Sequence, residues 1–79
     1  MARMSSDFRQ LPKRLGNALR EMRLKAELSQ MALAEKADLT LNYVGEVERG
    51  EKLASLETVV RLARALGVTG AELLKKAGL

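Results

Sequence analysis

The chain has 79 residues, 47% of them hydrophobic and 30% charged, with a net charge of +4 from 14 Lys and Arg against 10 Asp and Glu. That length allows one small domain, and the composition is that of a folded chain rather than a disordered one. Cys and His are both absent, which excludes a disulfide framework, a zinc site built on Cys or His, a thiol nucleophile and histidine acid–base chemistry. No apolar run approaches the length of a membrane span, and MARMSSDFRQLPK lacks the apolar block of a secretory signal. A cytoplasmic protein with no membrane partner is expected. Charge is distributed unevenly. Residues 1–26 carry seven positive and two negative charges, residues 27–51 two and six, and residues 52–79 five and two. A polyanion would be drawn to the flanks rather than to the middle.

In chain order, residues 1–10 read as a flexible basic arm and residues 11–79 as a single domain. Pro12 suits the first turn of a helix, where its missing N–H is not needed. Leu15, Leu19, Met22 and Ala26 then form one apolar stripe, with Arg14, Arg20 and Lys25 outside it. Gly16 lowers helix stability by ~1 kcal/mol relative to Ala, which suggests a close contact there. Ser29 is an N-cap for a second helix from Gln30 to about Ala37, with Leu33, Ala34 and Ala37 inward. Asp38 suits a left-handed turn. Thr40 caps a third helix, Leu41 to Arg49, with Val44 and Val47 inward and Gly50 closing it. Leu53 is placed to cover the underside of the bundle. Ser55 caps a fourth helix with Leu56, Val59, Val60, Ala63 and Leu66 inward, ended by Gly67. The capping box TGAE, Thr69 to Glu72, opens a short fifth helix bearing Leu73 and Leu74. The expected fold class is all-α, a compact five-helix domain.

Residues 29–50 have the spacing of a helix-turn-helix, with alanines at the crossing, a short turn and polar side chains at the start of the second helix. A small structural bundle would share the hydrophobic pattern. LGNALREMRLKAELSQMALAEKA followed by TLNYVGEVERGEKLASLETVVRLARALGVTGAELL resembles the Cro/C1-type (lambda-repressor-like, XRE) helix-turn-helix family over about residues 15–74. YVGEVERGEK further resembles the stand-alone controller regulators of restriction-modification systems. The resemblance implies five helices around a DNA-binding motif and a homodimer on a two-fold symmetric operator.

Carried over by position, Gln30 matches a glutamine that bonds a backbone phosphate. Leu41, Asn42 and Glu46 fall where base edges are read. Thr40, Tyr43, Arg49 and Lys52 fall at flanking phosphates, and Arg14 is a further phosphate candidate, with Arg20, Lys25 and the arm's Arg3 and Arg9. Arg23 and Glu48 match a partly buried structural salt bridge. Chemically, Asn42 fits an adenine edge, Leu41 a thymine methyl, and Glu46 either cytosine N4 or a neighbouring arginine. The family often has Gly at the positions of Glu27 and Asp38, Glu at Met31 and Ala32, Asn-Pro at Leu53 and Ala54, a polar or basic residue at Leu41, and Ser at Gly45. Leu73, Leu74, Ala77 and Leu79 are expected at the dimer interface. The alternative to a transcriptional regulator is a protein-binding antitoxin or adaptor module with secondary DNA binding. No nucleotide loop, metal set or catalytic constellation is present in the pattern, so neither enzyme activity nor a cofactor or metal is expected.

Overall fold

The computed structural model describes the backbone of residues 2–79 and the side chains of residues 8–79. Five helices follow in order: α1 (Ala2–Lys25), α2 (Gln30–Ala37), α3 (Leu41–Glu48), α4 (Leu56–Ala65) and α5 (Gly70–Lys76). No strand occurs among the described residues. α1 packs on α3 and α5, α2 on α3 and α4, and α4 on α5. The long axis of 39 Å is set by α1, whose 24 residues span about 36 Å at 1.5 Å per residue.

The caps explain why these helices are short and sharply bounded. Ser29, Thr40, Ser55 and Thr69 each accept a hydrogen bond on their hydroxyl from the backbone N–H three residues on, satisfying donors that a helix start leaves open. The capping box is complete, with the Thr69 N–H donating to Glu72 Oε1 at 2.9 Å. The ends share one closure as well. After α3, the Gly50 N–H donates to Val47 O at 3.0 Å and the Glu51 N–H to Glu46 O at 2.9 Å, the paired closure that needs a left-handed residue between them. Gly50 supplies it with φ +74°. The same closure ends α1 and α2, but there the left-handed residues are Glu27 (φ 58°) and Asp38 (φ 59°), where a side chain is strained.

The first helix starts earlier than its sequence suggests. Pro12 lies inside α1, not in its first turn, so the helix runs through it and lacks the one bond the proline N–H would have made. Arg3, expected on a basic arm, lies outside the described side chains.

The core is formed by Leu15, Leu19, Leu33, Val44, Val47, Leu62 and Leu73 with the alanines between them. Three residues expected against the core are elsewhere. Ala26 is exposed because α1 has ended at Lys25 and the chain is already turning. Leu56 is 75% exposed and Leu53 54% exposed; the inward positions of α4 and its loop are taken by Leu62, Thr58 and Ala54 instead. Gly16 is where α1 crosses α3. A Cβ there would lie 2.6 Å from Glu48 O and against Val47 O, so only glycine permits this approach.

Candidate nucleic-acid interface

The turn Asp38–Thr40 joins α2 to α3 and fixes the attitude of α3 against the core. At 100° per residue, Val44 and Val47 point inward, and both are fully buried. The opposite side of α3 then carries Asn42, Gly45, Glu46 and Arg49. Asn42 stands near the centre of that outward stripe, exposed. Leu41, at the helix start, is 42% exposed. Asn42, Glu46 and Arg49 therefore share one face, with Leu41 at its edge.

Beneath that surface, Arg23 holds the assembly together. Its Nε donates to Glu48 Oε2 at 2.6 Å, its Nη2 to Glu48 Oε1 at 3.1 Å, and its Nη1 to Leu28 O at 2.8 Å. Both residues are only 6% exposed. The fork spans the end of α1, the entry to α2 and the end of α3, and its bidentate geometry is the strong arrangement for such a pair. Gln30 joins the network from α2, donating from Nε2 to Glu48 Oε1 at 3.0 Å. One Gln30 donor is thus committed to the scaffold, leaving the second N–H and the amide oxygen.

Each carboxylate of residues 38–51 has a cation beside it, with Asp38 sharing Arg61 with Glu57. Glu48 faces Arg23 at 2.6 Å, Glu51 faces Arg49 at 2.7 Å, Glu46 faces Lys52 at 3.5 Å and Asp38 faces Arg61 at 3.5 Å. The local potential is consequently less negative than the residue count implies. Glu46 lies beside Lys52 of the following loop, and its charge also acts on Arg49. The hydrogen bond from Arg49 holds the Glu51 carboxyl below its ordinary value and raises the Arg49 guanidinium in turn. Glu57 does the same for Arg61, bonded at 2.7 Å.

Tyr43 is half-buried against the core and, with Thr40, Leu39, Glu46 and Lys52, walls an open depression at the start of α3. The Thr40 hydroxyl accepts from the Tyr43 N–H at 3.1 Å, so its oxygen serves the cap first.

Arg14 is placed elsewhere than expected. Its Nε donates to Ala77 O at 3.1 Å and its Nη2 to Gly78 O at 2.8 Å, so it caps α5, where the carbonyls of a helix end attract a cation. Besides Arg23, α1 brings the backbone of Lys13 against the end of α3, its Cα 3.0 Å from where a Gly50 Cβ would be. Sequence periodicity alone does not find Lys13, because the contact depends on the angle at which α1 crosses α3. The expected dimer residues also separate. Leu73 and Ala77 are buried within the monomer, at 0% and 6% exposure, because α5 turns them onto α1 and α4. Leu79 remains exposed and Leu74 half-buried. With Leu11, Leu53 and Leu56 they line an apolar groove.

Residues 14–75 match the helix-turn-helix domain family. The chain belongs to the Cro/C1-type helix-turn-helix family. It is 38% identical over 60 residues to control protein C.BamHI from Bacillus amyloliquefaciens, covering 75% of this chain and 74% of that one. Among solved structures, the restriction-modification controller protein C.AhdI from Aeromonas hydrophila superposes with a TM-score of 0.77 at 42% identity, over 78% of this chain and 94% of that one. The clp gene regulator ClgR from C. glutamicum superposes with a TM-score of 0.82 at 35% identity, over 86% and 88%. The family is one of helix-turn-helix regulators, not enzymes. Among the described residues no acidic cluster is suited to a metal ion, and no helix is long and apolar enough to cross a membrane.

Proposed function

We propose that this chain is a sequence-specific double-stranded-DNA-binding transcriptional regulator that acts as a homodimer on a two-fold symmetric operator. The observation that carries the reading is the outward stripe of α3. Exposed polar groups stand on it, while the carboxylates from Asp38 to Glu51 are each paired with a cation. Similarity to control proteins and to gene regulators supports the same reading.

Asn42 reads a base edge from the centre of the stripe, with Leu41 against a thymine methyl and Glu46 accepting from cytosine N4. Gln30, Thr40, Tyr43, Lys52 and Lys13 contact the flanking phosphates, which fix register and supply the salt-dependent part of affinity. The second copy docks on the groove of Leu11, Leu53, Leu56, Leu74 and Leu79. Three leucines there are more than half exposed, Leu53 at 54%, Leu56 at 75% and Leu79 at 57%, which is a large apolar surface for so small a monomer. A two-fold dimer sets its two α3 helices about 34 Å apart, one DNA turn.

Selection of bound duplexes from a random library tests this. A two-fold symmetric motif with half-sites one turn apart is expected. An absence of any enriched sequence would refute specific recognition and favour the second reading, a protein-binding antitoxin or adaptor module that uses the exposed Met31, Leu41 and Leu56.

A further inference from the structure

Gly45 lies on the side of α3 that faces away from the core, yet it is buried. The covering group is Arg49. A Cβ on Gly45 would lie 2.9 Å from Arg49 Nη1 and 3.7 Å from its Cζ. Helical side chains lean toward the N-terminus of their helix, so Arg49 folds back over the preceding turn and its guanidinium occupies the place a residue-45 side chain would take. Asn42 and Arg49 are seven residues apart, within about 20° of one another around the helix. The guanidinium therefore stands on the same stripe as Asn42, one turn further along α3.

Its orientation is set as well. Arg49 Nε donates to Glu51 Oε2 at 2.7 Å and Nη2 to Glu51 Oε1 at 3.2 Å. Five N–H donors form the fork, so this leaves both Nη1 donors and the second on Nη2. Together they make one planar edge with two parallel donors, the pattern that matches the O6 and N7 acceptors of guanine.

We infer that Arg49, laid across Gly45 and held by Glu51, reads a guanine in each half-site rather than serving as a phosphate contact. The inference rests on the proposed reading of α3 as the DNA-reading helix, and it adds the base identity. Gly45 makes room for the fork, so the absence of a side chain at position 45 is itself part of the specificity.

The test repeats the library selection with the wild-type chain, Gly45→Ala and Arg49→Ala. Ala at position 45 keeps every charge and favours the helix, but its Cβ displaces the guanidinium. The wild-type half-site is expected to contain a G·C pair whose preference falls about tenfold to a hundredfold in both variants, with the other positions retained. The salt dependence of Gly45→Ala stays that of the wild type, since no charge changes. Placing 7-deazaguanine at that pair removes N7 and is expected to weaken the wild type about tenfold while leaving Arg49→Ala unaffected. Retention of the same guanine in both variants overturns the inference and leaves specific binding standing, as does an Arg49→Ala variant that weakens on all duplexes alike. A wild-type chain that enriches no motif overturns both.

Discussion

Gly16→Ala is the sharpest test of how α1 and α3 are assembled, because two effects oppose each other at one atom. Within a helix, Ala is favoured over Gly by ~1 kcal/mol, so a loosely packed α1 would become more stable. In this fold the added Cβ meets Glu48 O at 2.6 Å and presses on Val47 O. These are backbone atoms, and neither can yield alone. Val47 is fully buried and Glu48 is tied to Arg23 through two bonds. Overpacking against backbone falls in the upper part of its usual range, about 2–3 kcal/mol, so after the propensity gain the variant loses about 1–2 kcal/mol. For a domain of this size that lowers Tm by about 5–15 °C. Thermal unfolding followed by circular dichroism reads it, with Gly70→Ala as the control. There a Cβ would make only ordinary contact, 3.6 Å from Val60 Cγ2, so Tm stays level or rises. A rise in Tm for Gly16→Ala would refute the close crossing, and with it the position assigned to α3.

Arg23→Ala leaves Glu48 buried without its cation and is expected to lose about 3–5 kcal/mol, enough to unfold much of a domain this small; an unchanged melt would show the pair to be dispensable. Arg14→Ala releases the carbonyls of Ala77 and Gly78 and is expected to lower stability by about 1–2 kcal/mol, with the salt slope of DNA binding unaltered; a reduced slope would return Arg14 to the phosphates. Glu27→Gly relieves a left-handed residue and is expected to raise stability by about 0.5–1 kcal/mol after the added freedom of the unfolded chain is discounted, read as a higher urea midpoint. The Glu51 carboxylate is stabilised in its charged form by Arg49. That pairing is therefore present at neutral pH and is lost in acid as pH falls through the lowered Glu51 value. A carboxyl titration by NMR should show the Glu51 midpoint move up in Arg49→Ala, and no movement would mean the pair does not form in solution. Leu56→Glu places a charge in the apolar groove and is expected to give monomers by sedimentation, whereas a persistent dimer would locate the interface elsewhere.

Most of the fold was legible because its signals are local. Ser29, Thr40, Ser55 and Thr69 mark helix starts by a short-range bond, and each caps as expected. Gly50 and Gly67 mark ends in the same way. Periodicity found Leu15, Leu33, Val44 and Val47, but it misassigned Leu56 because one turn of helix past a cap has no pattern long enough to fix its face. It passed over Leu62 because Val59, Val60, Ala63 and Leu66 already form a continuous apolar stripe along α4. The Arg23–Glu48 bridge came only through family resemblance, since nothing in the chain between two residues 25 positions apart signals a contact. The placements of Arg14 and Lys13 were beyond the sequence because each depends on the angle at which α1 crosses the other helices. The i, i+4 spacing of Gly45 and Arg49, with Glu51 two residues on, is by contrast local to the motif.

The central claim is that the outward stripe of α3 reads bases. Titration of the wild-type chain and Asn42→Ala against the selected duplex and a shuffled duplex, at two salt concentrations, tests it most directly. The wild type is expected to prefer its selected duplex by about a thousandfold or more. Asn42→Ala should lose about tenfold to a hundredfold of that ratio while binding the shuffled duplex as before and with the same salt slope. An unchanged ratio in Asn42→Ala would place base recognition off this face of α3 and contradict the account.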